Sequence, residues 1–145
     1  MINYKFNKPY YTIDFAELDG SEIHVSSFEA EEKISDLFEY RINLISSDPS
    51  LDSSKILNKK ATFIFNREDE DPIKVNGIIS QFEQYGRTAD YVFYKIVLVP
   101  RLWLLNLVYQ NEIYQNMNIK QIIKCIFDDV KLSGQDYKID FKDEY

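Results

Sequence analysis

A mainly β domain with one amphipathic helix, an α+β class with a barrel-like or sheet interior, is what three observations predict for this chain. Residues 38–44 alternate apolar Phe38, Tyr40, Ile42 and Leu44 against Glu39, Arg41 and Asn43, the period-two pattern of a half-buried strand. Residues 91–99 are apolar on both faces apart from Lys95, as a strand enclosed on both sides requires. Ile119, Ile122, Ile123, Ile126, Phe127 and Val130 recur at i, i+3, i+4, i+7, i+8 and i+11, one stripe of a helix.

The remaining elements follow from local chemistry. Residues 10–15 alternate enough for a strand, and Glu17, Leu18, Asp19, Gly20 and Ser21 carry turn chemistry that reverses it into a return strand at 22–31. In that return strand Ile23, Val25 and Ser27 share one face while Glu22, His24 and Ser26 take the other; Phe28 breaks the phase and predicts a nearby bulge. After the strand at 38–44, Ser46, Ser47, Asp48 and Pro49 end the run, because Pro49 has no amide donor and biases Asp48 to extended backbone. Asp52 is placed to cap a short helical turn, with Leu51 and Ile56 at hydrophobic-staple spacing and Asn58 as the stop.

A strand at 61–65, a charged loop at 66–72 and a second arm at 73–85 read as a hairpin, in which Gly77 signals a bulge or a close backbone approach. The Gly86-to-Asp90 turn leads into the apolar strand, which Pro100 stops; one or two helical turns through Asn106 then tuck Leu102, Trp103 and Leu105 under the sheet. Residues 111–115 read as a short strand. Asn118 and Gln121 form a reciprocal capping pair at the helix start, Asp128 and Asp129 lie unfavourably at its negative end beside Lys131, Ser133 and Gly134 end it, and residues 137–141 alternate as a last strand. The expected core therefore includes Tyr40, Ile42, Phe82, Tyr94, Trp103, Ile119, Ile122 and Ile126, with Pro49, Asp52, Gly77 and Asn118 as turn and cap residues.

At 145 residues the chain suits a single domain, 1–145, able to bury a core without metals or disulfides. Its formal net charge of -7 repels nucleic acid and anionic lipid. The single cysteine, Cys125, cannot form an internal disulfide or a zinc framework. No secretory signal pattern opens the chain and no apolar run reaches membrane-spanning length, which predicts a cytoplasmic protein unless a machine exports it whole. The chain stops just after a strand pattern with no closing element, as expected of a fragment of something longer.

The inventory for catalysis is thin. His24 is the only histidine and shares a polar strand face with Glu22 and Ser26, so it reads as a solvated residue and not as half of a nucleophilic dyad. Cys125 sits beside Ile126 and Phe127 as a small apolar residue. The acidic run Glu68, Asp69, Glu70, Asp71 lacks the glycine turn and distal glutamate of a calcium loop. Glu29, Glu31 and Glu32 are better placed to guard a strand edge than to act as a glycosidase pair. Phosphate-binding glycine loops are absent, so no cofactor, metal or enzymatic activity is expected. Tyr85, Tyr91 and Tyr94 supply the alternative, a carbohydrate-binding surface of exposed rings, against the competing reading that they pack in the core.

Four stretches in series carry a family likeness. They are residues 38–52, a strand followed by Ser-Asp-Pro and Leu-Asp; residues 75–83, Val-Asn-Gly-Ile-Ile-Ser-Gln-Phe-Glu; residues 94–105, ending Val-Pro-Arg-Leu-Trp-Leu-Leu; and Ile113-Tyr114-Gln115-Asn116 leading to the helix at 119–127. In order and spacing they resemble the N-terminal hub domain of the VgrG (Rhs-element Vgr) spike family of type VI secretion, and the late-control D and baseplate hub proteins of contractile phage tails. Asn76 before the glycine and Tyr114 depart from the commoner residues of the family. The resemblance implies a structural tube-like barrel with no enzymatic role. In the intact family member it joins a second barrel, three chains build a ring on a hexameric inner tube, and a β-helical needle follows. It further implies partners among tube, baseplate and effector proteins, and assembly in the cytoplasm before export with the apparatus.

Overall fold

The computed structural model of the protein describes residues 10–18, 22–134 and 136–140. Its contacts divide the chain into two compact units, Met1–Pro100 and Arg101–Tyr145, where the sequence suggests one domain.

The first unit holds the strands β1 (Tyr11–Phe15), β2 (Ile23–Glu31), β3 (Glu39–Ser46), β4 (Lys60–Phe65), β5 (Ile73–Arg87) and β6 (Val92–Val99), with a one-turn 3-10 helix at Ser53–Lys55. They form a six-stranded sheet in the order β1-β4-β5-β6-β3-β2, all pairs antiparallel. The alternation that predicts β3 is the alternation seen: Tyr40, Ile42, Leu44 and Ser46 are buried, and face Leu98, Ile96, Tyr94 and Val92 of β6. Ile13 of β1, Ala61 and Phe63 of β4 and Ile79 of β5 complete this core, with Phe82 half-buried against it. Strand β6 is closed on both faces, since Val97 and Val99 are buried as well as Ile96 and Leu98.

The sheet order corrects the expected first hairpin. The strand β1 pairs with β4, from Tyr11 opposite Phe65 to Phe15 opposite Ala61, and β2 pairs with β3. Of the turn that was to join β1 and β2, residues 19–21 lie outside the described residues. The two strands end the sheet order, yet the ring of Tyr11 lies 4.9 Å from that of Phe28. The sheet therefore curls until its ends meet through side chains; among the described residues no strand pairing joins β1 to β2. Curvature has identifiable sources: register shifts interrupt β5 between Ile79 and Gln81 and between Gln84 and Gly86, and β2 between Val25 and Ser27. The last is the bulge that the phase break at Phe28 predicts. It also turns Ser27 outward, against expectation, where its hydroxyl accepts a hydrogen bond from Asn43 Nδ2 at 2.9 Å.

Local signals explain the connections. The Asp52 carboxylate accepts from the Ser54 amide at 2.9 Å, Leu51 and Ile56 are buried on either side of the turn, and Asn58 ends it in the left-handed region at φ 60°. Pro49 follows Ser46, whose buried hydroxyl donates to the Glu22 carbonyl at 2.9 Å and accepts from the Asp48 amide at 3.1 Å. Gly77 marks a close approach: a Cβ there would stand 3.0 Å from Leu98 Cδ1 and collide with the Val99 carbonyl oxygen.

Tyr40 illustrates how burial sets charge. Its hydroxyl donates to Glu32, and desolvation first, then that carboxylate, push its pKa up to about 12 from 10.0. A raised acid pKa in the folded state means that the stabilisation is fully present below pH 10.0 and is lost as pH rises from 10.0 towards about 12. Alkaline unfolding monitored by circular dichroism should show this loss, and Tyr40→Phe should remove that part of the pH dependence.

The second unit comprises a 3-10 helix, Arg101–Leu107, and the helix α1, Ile119–Asp129. The capping box is present: Asn118 Oδ1 accepts from the Gln121 amide and Gln121 Oε1 from the Asn118 amide, each at 2.9 Å. The end differs from expectation. Ser133 and Gly134 lie beyond a terminus made by Lys131 at φ 55°, where the Lys131 amide donates to Asp128 O at 3.0 Å and the Leu132 amide to Phe127 O at 2.9 Å. That is a Schellman closure with lysine in the position glycine favours. Lys131→Gly should raise stability by about 0.5 kcal/mol in a denaturant titration, because left-handed backbone strains any residue with a Cβ.

Candidate assembly surface

The second unit is built on a polar clasp at its base. Arg101 Nη1 donates to Asp136 at 2.6 Å, and the same carboxylate accepts from the Ser133 amide at 2.8 Å and its hydroxyl at 2.9 Å. Burial alone would raise the Asp136 pKa, but the Ser133 amide and the Arg101 guanidinium outweigh it and lower it. Phe127 packs on Tyr137 edge to face at 4.4 Å. Among the described residues the expected strands here do not form: residues 111–115 and 137–140 pair with no strand, and residue 141 lies outside the described residues. Their alternation satisfied the local pattern, but a strand exists only with a hydrogen-bonding partner.

Helix α1 has an apolar stripe without a fully buried residue. Trp103, Ile122 and Ile126, expected in the core, are half-buried, and so are Leu102 and Leu105; Ile119, also expected there, is 47% exposed. The segment leading to the helix shows more apolar surface, with Tyr109 94% and Ile113 86% exposed. Between this segment and the helix lies a cleft of about 300 Å³. Leu105, Val108, Ile126 and Val130 line its apolar part, and Gln110, Glu112, Tyr114 and Asp129 its polar part. The Tyr114 hydroxyl donates to Glu112 at 2.9 Å, which raises the tyrosine pKa, and Gln110 Nε2 donates to Asp129 at 3.1 Å. Sequence reading overlooked this cleft; the signal available was the pair of acids at the helix end with no basic residue in the last turn.

The other candidates resolve into structural roles. His24 is exposed and 3.7 Å from exposed Glu22. Arg67 pairs with Glu70 and donates to the Asp71 carbonyl at 2.8 Å, tying the acidic hairpin tip to itself. Glu31 pairs with Lys33, which lowers its pKa, while Glu32 receives the Tyr40 hydroxyl. Among the described residues no cluster of His, Cys, Asp or Glu could hold a metal ion. Tyr85 and Tyr91 are exposed, but Tyr94, the third ring of the carbohydrate alternative, is 1% exposed; its hydroxyl accepts from the Leu51 amide at 3.4 Å and donates to the Asp48 carbonyl at 3.3 Å.

Residues 31–145 match the family described as phage tail baseplate hub (GPD). The chain belongs to that family. This baseplate hub chain is 30% identical over 115 residues to the type VI secretion system spike protein VgrG1b of Pseudomonas aeruginosa, a match covering 79% of the chain. It is 24% identical over 132 residues, 85% of the chain, to the actin cross-linking toxin VgrG1 of Vibrio cholerae. The hub chain spans 16% of the first relative and 12% of the second. A solved structure, the E. coli c3393 protein, superimposes with a TM-score of 0.76 at 28% identity over 86% of this chain and 34% of its own. That protein is described as a type VI secretion component similar in structure to the T4 bacteriophage tail proteins gp27 and gp5. The mainly β class predicted from alternation, and the barrel-like hub implied by the resemblance, correspond to a curled sheet with a phage-tail hub fold, and the relatives named as spike proteins give the carbohydrate alternative no support. Among the described residues no helix is long and apolar enough to cross a membrane.

Proposed function

We propose that this chain is a passive wall segment of the hub in a contractile injection machine, a type VI secretion spike or a related phage-tail-like baseplate. In this reading it sits in a trimeric ring on the hexameric inner tube, is assembled in the cytoplasm, and leaves with the apparatus and whatever effector the spike carries. The observation that carries the reading is the hub-family match over residues 31–145 on a curled sheet whose fold is that of a type VI secretion component. A wall role also fits the chemistry: the strands of the curled sheet other than β6 bury mainly one face, and the candidate acids and the histidine are engaged in turns, edges and surface pairs. The work of such a segment is contact with copies and neighbours.

Contractile particles purified from the source cells, labelled with an antibody to this chain, test the proposal. The expected result in electron micrographs is label at one tip of each particle, with a three-subunit species on cross-linking. Label along the whole tube, or particles without label, would overturn it.

A further inference from the structure

We infer that the cleft between residues 105–114 and helix α1 is a docking pocket for a partner-protein segment that inserts an arginine. Its lining includes Leu105, Val108, Ile126 and Val130, apolar side chains suited to the methylene stem of a long basic side chain. The same lining holds Glu112 and Asp129, each bonded to one neutral donor, Tyr114 and Gln110 respectively. Among the described residues neither acid is in an ion pair. Asp129 adds its charge to that of Asp128 at the negative end of α1, whose last turn has no basic residue. A guanidinium bound in the cleft would have carboxylates from both the segment and the helix end to pair with, and its planar fork of donors suits carboxylates better than an ammonium does. Exposed Tyr109 and Ile113, sequence neighbours of the lining residues Val108, Gln110, Glu112 and Tyr114, offer apolar side chains to the residues on either side of that arginine.

Choosing a protein segment over a free small cation rests on the assembly reading above; the charge complementarity stands on the cleft alone. The probe is an acetylated, amidated Ala-Leu-Arg-Leu-Ala peptide titrated into the isotope-labelled full chain and followed by amide chemical shifts. Its controls are the same peptide with uncharged citrulline for arginine, and arginine methyl ester. Saturable shifts at Gln110, Glu112, Tyr114 and Val130 are expected. Affinity should fall about tenfold with citrulline, or in the Glu112→Gln/Asp129→Asn variant, and it should weaken as salt rises. Equal binding of the citrulline peptide, unchanged binding by the variant, or shifts elsewhere would overturn the pocket. Arginine methyl ester binding as tightly as the peptide would overturn the protein occupant. Both substitutions are near-isosteric, and the citrulline control needs no change in the protein. Failure here with tip labelling intact sinks this inference alone; loss of tip labelling with peptide binding intact sinks only the hub reading.

Discussion

Phe63→Ala should lower the free energy of unfolding by about 3–5 kcal/mol. Phe63 is fully buried in β4, and its ring lies 4.9 Å from Phe65, 5.0 Å from Phe28, 5.8 Å from Tyr40 and 6.3 Å from Tyr11. These rings come from β1, β2, β3 and β4, so the deletion empties the place where both ends of the sheet order converge. The loss combines the transfer free energy of the ring, the cavity left behind and the aromatic ring contacts. Phe63→Leu should retain more than half of the lost stability, since it keeps most of the volume. Chemical denaturation of the three proteins, compared at constant slope, checks both figures. A change under about 1 kcal/mol for the alanine variant would mean that the aromatic cluster is not the keystone of the core.

Gly77→Ala is expected to cost about 3 kcal/mol, a large effect for one added methyl group. The new Cβ would collide with the Val99 carbonyl oxygen and stand 3.1 Å from its carbon. Neither atom can retreat cheaply, because Val99 is paired with Ile78 in the β5–β6 ladder. Gly77 also faces Ala61, a small residue opposite a small residue. A contrasting substitution, Gly86→Ala, meets only the Phe93 side chain, at 3.3 Å, and should cost less than half as much. Thermal melts of the two variants side by side provide the measurement, and equal losses would refute the steric account.

Much of the fold is legible in the sequence wherever one residue type has one physical use. The alternation through Tyr40, Ile42 and Leu44 names a buried face, and Asn118 with Gln121 names a helix start, because each pattern is complete within a few residues. Gly77 is legible as a close approach for the same reason. Pairing is not local, and there the reading stopped. Nothing in residues 10–31 says that β1 passes over its sequence neighbour to join β4, a choice made by Phe63 and Phe65 far along the chain. Residues 111–115 alternate like a strand yet pair with no strand among the described residues, since propensity supplies no partner. The left-handed Lys131 hid the true end of α1, as glycine was the expected marker and lay three residues on. The cleft was hidden for a related reason: Glu112 and Asp129 lie far apart in sequence, and their shared wall exists only once the helix has folded beside the preceding segment.

One consequence follows from the meeting of Tyr11 and Phe28. A hoop zipped all round by peptide groups has a fixed girth, whereas this one has a slit bridged by aromatic side chains. Widening the slit sacrifices ring contacts worth about 1 kcal/mol apiece and breaks no backbone ladder. A sheet closed in that way can change girth at the slit with its six paired strands still in register.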